Sequence, residues 1–185
     1  MSLKRWIVRF YKVAELSYVL KSYAECLNSL KETSRDSEHH EYLCQSDMSV
    51  YDFDCIVKKL YPQKQPSSYD SLIVDESRKV VYCIEFKNQI PSAINNQNIV
   101  KKLTNGKDIL DNICHKGNVQ KNDYEFIYCV VHKARATRYK NPISNREIKF
   151  ELKQYKDTYF DNIVTNDIEF FKNEFNKEFQ DKGCK

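Results

Sequence analysis

Ser68-Tyr69-Asp70-Ser71-Leu72-Ile73-Val74-Asp75-Glu76-Ser77-Arg78-Lys79-Val80-Val81-Tyr82-Cys83-Ile84-Glu85-Phe86-Lys87-Asn88 is the stretch on which the reading of the chain turns. Two apolar runs, Leu72 to Val74 and Val80 to Lys87, flank a short charged segment, the pattern of two strands joined by a turn. The second run is apolar on both faces, with Val81 and Cys83 on one side and Tyr82, Ile84 and Phe86 on the other. Such a strand belongs in a sheet covered from both sides. Glu85 and Lys87 interrupt it. They are two residues apart and so share a face, and charges placed there must be paired or used.

A turn centred on Glu76-Ser77-Arg78 sets Val74 opposite Val80 and brings Asp70 close to Ile84 or Glu85. Opposed residues in an antiparallel pair lie about 4.5–5.5 Å apart. Asp75 is excluded, because it sits at the turn, roughly 16 Å away along the strand. Asp70, Glu85 and Lys87 are therefore expected to converge. Two carboxylates at that spacing bind Mg²⁺, for which Mn²⁺ can substitute, since a hard ion prefers oxygen ligands and keeps waters. The ion neutralises a phosphate and acidifies an attacking water. A lysine beside the acids holds that water or the phosphate. The triplets Glu147-Ile148-Lys149 and Glu151-Leu152-Lys153 repeat the spacing. Their charges alternate with Ile148, Phe150 and Leu152, the pattern of an exposed-face strand. The plain alternative for Glu85 and Lys87 is an edge strand whose final turn reaches solvent, with both side chains exposed there.

Working outward, Leu16, Leu20, Tyr23, Leu27 and Leu30 recur at helical spacing and predict a helix over 13–32, with Glu25 on its solvent side. A polar loop follows (33–47). A second helix is expected over about 47–61, capped by Ser46 or Ser49, with Val50, Phe53, Val57, Leu60 and Tyr61 as its apolar face and Asp54 inside that face. Pro62 and Pro66 end it. Residues 97–114 predict a third helix, weakened at Gly106 and stopped by Gly117-Asn118. Tyr124 to His132 is a further buried strand. Asp167 to Gln180 predicts a closing helix carrying Phe170, Phe171, Phe175 and Phe179. The expected class is α/β, a three-layer sandwich with a central mixed sheet flanked by helices.

The chain has 185 residues, three Gly and four Pro, with 13 Tyr and 10 Phe to fill a core. This fits one domain, 1–185. The net charge of +4 and pI of about 8.5 permit a polyanionic partner without requiring one. Seven Cys is an odd number without a CxxC pair. It predicts free, mostly buried thiols in a cytoplasmic protein. No leader peptide or membrane span is apparent. The Cys and His show no zinc spacing.

Asp70, Glu85 and Lys87 resemble the acid and (D/E)xK signature of the PD-(D/E)xK nuclease superfamily, with Tyr69 where the family usually has Pro. The resemblance spans about residues 41–133 as helix, strand with Asp, strand with Glu-x-Lys, helix and strand. It implies a restriction endonuclease-like fold and Mg²⁺-dependent cleavage of nucleic acid, with DNA the expected substrate and RNA an alternative. It further implies metal ligation by Asp70 and Glu85 and a water-activating Lys87. An additional acid from the preceding helix is open between Asp54 and Glu41. His39 and His40 form a tandem in a polar loop, where solvation is the ordinary state; related viral endonucleases use a helix His as a metal ligand. Gln97 and Lys101 open the helix after the Glu-x-Lys strand, where some members contact substrate. Arg135, Arg138, Lys140 and Arg146 are candidates for the phosphate backbone, and Tyr139 for stacking on a base. With no sequence-reading module in evidence, specificity would come from loops, a homodimer or a partner protein. The rival classes are a non-catalytic nucleic-acid- or protein-binding module that keeps the fold, and a cytosolic interaction protein in which Glu85 and Lys87 form a structural ion pair.

Overall fold

The expected hairpin forms, and it lies at the centre of the sheet. In the computed structural model, which describes residues 13–36, 38–134, 147–169 and 171–173, β5 (Ser71–Asp75) and β6 (Val80–Lys87) pair antiparallel. Val74 lies opposite Val81, one residue along from the pairing expected with Val80. The turn therefore centres between Ser77 and Arg78, with Lys79 in the left-handed region (φ 55°). Ser71 pairs with Ile84, and the Asp70 N–H donates to the Ile84 carbonyl at 2.9 Å. Continuing the register sets Asp70 against Glu85, the second of the two partners expected.

The remaining strands extend the sheet in both directions. Its order is β1-β4-β5-β6-β7-β8, where β1 is Leu27–Ser29, β4 Ser49–Asp52, β7 Glu125–His132 and β8 Asn162–Asp167. The pairs on the β1 side of β6 are antiparallel. Those on the β7 side are parallel. β6 is thus the junction of a mixed sheet. Parallel neighbours need a long crossover, and the helix Asn96–Lys116 supplies it between β6 and β7. A separate two-stranded ribbon, β2 (Arg35–Asp36) with β3 (Glu41–Tyr42), stands apart from this sheet.

Helices α1 (Leu16–Leu20), α2 (Leu30–Thr33), α3 (Phe53–Leu60) and α4 (Asn96–Lys116) complete the mixed α/β arrangement. Apolar side chains cover both faces of β6. Val81 and Cys83 join a cluster with Leu16, Leu20, Phe53, Ile99, Leu103 and Leu110. Tyr82, Ile84 and Phe86 join another with Leu30, Leu43, Ile168 and Phe171. This is the two-sided burial that the apolar run implied. Among the described residues, no helix is long and apolar enough to cross a membrane.

Several expectations are corrected. The helix over 13–32 is broken: after Leu20 the chain continues as a 3-10 run, Lys21–Cys26, with Tyr23 out of helical geometry, and then becomes β1. Strand pairing of Leu27 with Tyr51 overrides the helical periodicity and leaves Leu27 exposed. Glu25 is solvent-exposed as expected and pairs with Lys59 at 2.9 Å. The second helix starts later than expected because Ser49–Asp52 is a strand; Asp52, accepting from the Cys55 N–H at 2.9 Å, is its N-cap. The edge strand over 148–152 does not form, because Phe150 and Glu151 take positive φ (63° and 58°). β8 occupies that edge. Cys26 and Cys55 are joined in a disulfide, Cα–Cα 5.6 Å. The β1–β4 pairing brings together these two residues, which are 29 apart in sequence. Cys44, Cys83, Cys114 and Cys129 are free and buried, as expected of the set as a whole. Phe170, Phe175 and Phe179 of the expected closing helix lie outside the described residues.

Candidate functional site

Tyr69 and Gly106 set the geometry of the open end of the hairpin. Tyr69 is fully buried. It stacks on Phe53 of α3, ring centroids 4.3 Å apart, and meets Tyr128 of β7 edge-on at 6.1 Å. Its third neighbour is Gly106 of α4, where a Cβ would come within 2.5 Å of the ring. The glycine that weakens the helix in isolation therefore allows α4 to approach the sheet closely at this level. Asp70, next in the chain, is fixed by its neighbour's packing. Lys102, one turn before Gly106, is carried over the acid pair.

Asp70 and Glu85 converge on that lysine. The Lys102 Nζ is 3.1 Å from Asp70 Oδ1, 2.9 Å from Glu85 Oε1 and 3.0 Å from Glu85 Oε2. Lys87 Nζ approaches Glu85 Oε1 at 2.7 Å from the same strand. The second oxygen of Asp70 accepts the Phe86 N–H at 2.6 Å, which locks the carboxylate against β6. Glu85 is fully buried, while Asp70, Lys87 and Lys102 keep partial exposure. They border a cleft of about 480 Å³ whose other walls include Arg35, Asp36 and Glu38 beside the ribbon and Asn88 and Asn98. The strand-end alternative, with Glu85 and Lys87 in solvent, does not describe this arrangement.

The electrostatics follow from burial. Burial pushes the Glu85 carboxyl up to about 7, and the Asp70 charge adds to the rise while Lys102 and Lys87 oppose it. At Lys102, burial works against the charge, but Asp70 and Glu85 overcome it and hold the ammonium above its ordinary range. Asp54 is also raised, by burial first. It makes a short hydrogen bond with the Ser68 hydroxyl and feels both Asp70 and Lys102. The Tyr128 hydroxyl, fully buried and close enough to feel both acids, is pushed well above its usual range.

The other candidates fall in different places. Glu41 is exposed on β3, where it accepts from Asn88 Nδ2 at 2.8 Å and pairs with Lys133 at 3.3 Å; the structure does not bring it to Asp70 or Glu85. His39 is exposed and pairs with Asp36 at 2.9 Å, while His40 is 3.3 Å from Arg35. Gln97 and Lys101 are exposed. Arg135, Arg138, Tyr139, Lys140 and Arg146 lie outside the described residues. Lys102 is the residue that sequence reasoning missed. Its helical phase carries the signal: it is three after Ile99, four before Gly106 and seven before Ile109, all buried, so it lies on the apolar face. Lys101 points away.

The residues fit a divalent cation in donor type and convergence. Three carboxylate oxygens, from Asp70 and Glu85, surround one positively charged position that opens toward a polar cleft, and a hexacoordinate Mg²⁺ bound through two carboxylates takes its remaining ligands from water. The set is a minimal one, because among the described residues no three His, Cys, Asp or Glu side chains group as a metal site. Compared with protein-family models, curated proteins and solved structures, the chain matches none.

Proposed function

We propose that this chain is a Mg²⁺-dependent nuclease of the PD-(D/E)xK type, hydrolysing phosphodiester bonds of DNA on a restriction endonuclease-like, three-layer fold. The observation that carries the reading is the meeting of Asp70 and Glu85 around one cation position, with Lys87 on Glu85, at the mouth of a cleft. The mixed six-stranded sheet with helices agrees with it.

In this reading Asp70 and Glu85 hold Mg²⁺, which when bound supplies neutralisation of the scissile phosphate and a more acidic water. The Phe86 N–H fixes one Asp70 oxygen, so that the other points at the cation position. Lys87, two residues from Glu85 on the same face, orients the attacking water and offers its ammonium to the phosphate. Full burial of Glu85 keeps bulk water from competing for its oxygens. The cleft receives the backbone, and Arg135, Arg138, Tyr139 and Lys140 are proposed as further nucleic-acid contacts on their residue types alone.

One observation favours the rival reading, a binding module that keeps the fold without catalysis: an ammonium occupies the position where the ion would sit. Cleavage of supercoiled plasmid, single-stranded DNA and RNA with Mg²⁺ or Mn²⁺ separates the two. The nuclease reading expects metal-dependent cleavage that falls by at least about a hundredfold in Asp70→Asn, Glu85→Gln and Lys87→Met. Equal rates in wild type and all three variants would contradict it, and so would binding of nucleic acid without cleavage under either ion. Preference for RNA over DNA would move the substrate but keep the site.

A further inference from the structure

We infer that Lys102 is the resident counter-ion of this site, and that it and a divalent cation compete for one position. The inference rests on the metal reading above and adds to it a residue that has to move. Lys102 Nζ touches three carboxylate oxygens, at 2.9, 3.0 and 3.1 Å, from the two arms of the hairpin. An ion drawn to those oxygens meets the ammonium at its centre.

Charge counting sets the direction. With both carboxyls ionised, Asp70 and Glu85 carry two negative charges against the two positive ones of Lys87 and Lys102, so these four groups in contact balance. Adding a divalent cation with Lys102 still in place leaves two unmatched positive charges in a largely buried cluster, which is costly. Withdrawing the Lys102 ammonium into the cleft leaves the cluster with a net charge of +1, and a phosphodiester of charge −1 entering beside it completes the balance. The side chain has room to leave, because Lys102 itself lines the cleft along with Asn98 and Asn88. Lys87 stays on Glu85 Oε1, anchored by its own strand. The two lysines thus differ in kind: one belongs to the sheet and is fixed beside the acid, and the other belongs to α4 and is a removable plug. In the free protein the plug holds Asp70 and Glu85 together despite their repulsion, so the ligands are already arranged when the ion arrives.

The test is Mn²⁺ binding by isothermal titration calorimetry to the full chain, comparing wild type, Lys102→Gln and Lys102→Arg. Lys102→Gln keeps hydrogen-bond donors on both carboxylates and removes the competing charge. It is expected to bind Mn²⁺ at least tenfold more tightly than wild type, with Lys102→Arg close to wild type. Equal or weaker binding by Lys102→Gln overturns the inference. A second measurement needs no substitution: acylation of Lys102 by an amine-reactive reagent, followed by peptide mass spectrometry, with and without saturating Mn²⁺. Release of the ammonium raises the labelling rate several-fold, and an unchanged rate at saturation overturns the proposal. Mn²⁺ binding by the wild type with no tightening in Lys102→Gln removes only the counter-ion role. Failure of every form to bind Mn²⁺ removes the metal reading and this inference together.

Discussion

The β5–β6 hairpin has a cluster of charges at each end, and the two ends handle them in opposite ways. At the turn, Asp75 Oδ1 accepts from the Ser77 N–H, the Ser77 hydroxyl and the Arg78 N–H, and Asp75 Oδ2 takes the Arg78 guanidinium at 2.7 Å. Next to it, Glu76 accepts from the Ser17 N–H, Lys79 and the Tyr124 hydroxyl, each within 2.8 Å. Burial alone would raise the Glu76 carboxyl, but these donors outweigh it and the net direction is down. At the open end, Glu85 is buried completely, has Asp70 for a neighbour and relies on two ammonium groups, and its carboxyl rises to about 7. At the turn Asp75 is satisfied by its own local chain and Glu76 by Lys79 together with the distant Ser17 N–H and Tyr124 hydroxyl, and both acids hold a shape. Acids at the open end are satisfied by two ammonium groups, one of them carried on α4, and in the proposal above this is the group that a bound cation would displace.

Substitutions at the two ends can break this contrast. The largest effect is expected from Asp75→Ala, which leaves the turn donors and the Arg78 guanidinium without their common acceptor. It should cost about 2–3 kcal/mol in urea unfolding while any metal-dependent cleavage per folded molecule stays unchanged. Loss of cleavage in a folded Asp75→Ala protein would show that the two ends are not separate. Next comes Gly106→Ala. A Cβ would meet the packed Tyr69 ring at 2.5 Å, so overpacking of about 1–3 kcal/mol should exceed the gain of up to about 1 kcal/mol from better helix propensity. A more stable Gly106→Ala protein would refute the account of how α4 is seated.

The pH dependence gives a subtler contrast. Glu85 titrates near 7 when folded and near its ordinary value when unfolded, so the native state binds the extra proton between the two. Its contribution to stability is present below the unfolded value and is lost as pH rises through about 7. Glu76, shifted down, contributes stability that is present above its unfolded value and is lost as pH falls. Unfolding of the metal-free protein between about pH 2 and 8 should therefore lose its downward slope near neutrality in Glu85→Gln, and lose part of its acid-side fall in Glu76→Gln. Parallel curves for the two variants would remove the distinction.

How much of this could be read from the sequence depended on how local the cause was. The Asp70–Glu85 pairing was legible because strand alternation and a short turn nearly fix a hairpin register, and a doubly apolar strand makes a charge conspicuous. The ends of α4 were close to expectation because Gly117 and Asn118 stop it. The break after Leu20 was not legible, since it comes from Leu27 pairing with Tyr51, which no local pattern announces. The Cys26–Cys55 bridge depends on the same pairing, and connectivity among seven cysteines cannot be deduced from spacing. Lys102 could have been found: its phase on α4 placed it among Ile99, Gly106 and Ile109, whereas Lys101 drew notice only because it stood near the helix start. Tyr69 and Gly106 each looked like a small departure from pattern, and the structure makes them partners in one contact.

The most direct test of the central claim, that Asp70 and Glu85 form a cation site, is anomalous diffraction from a Mn²⁺-soaked crystal of the full chain. The account predicts a peak between the two carboxylates at metal–oxygen distances of about 2.0–2.3 Å, with the Lys102 ammonium withdrawn into the cleft. A saturating soak that leaves no peak there, with Lys102 still bridging Asp70 and Glu85, would contradict it.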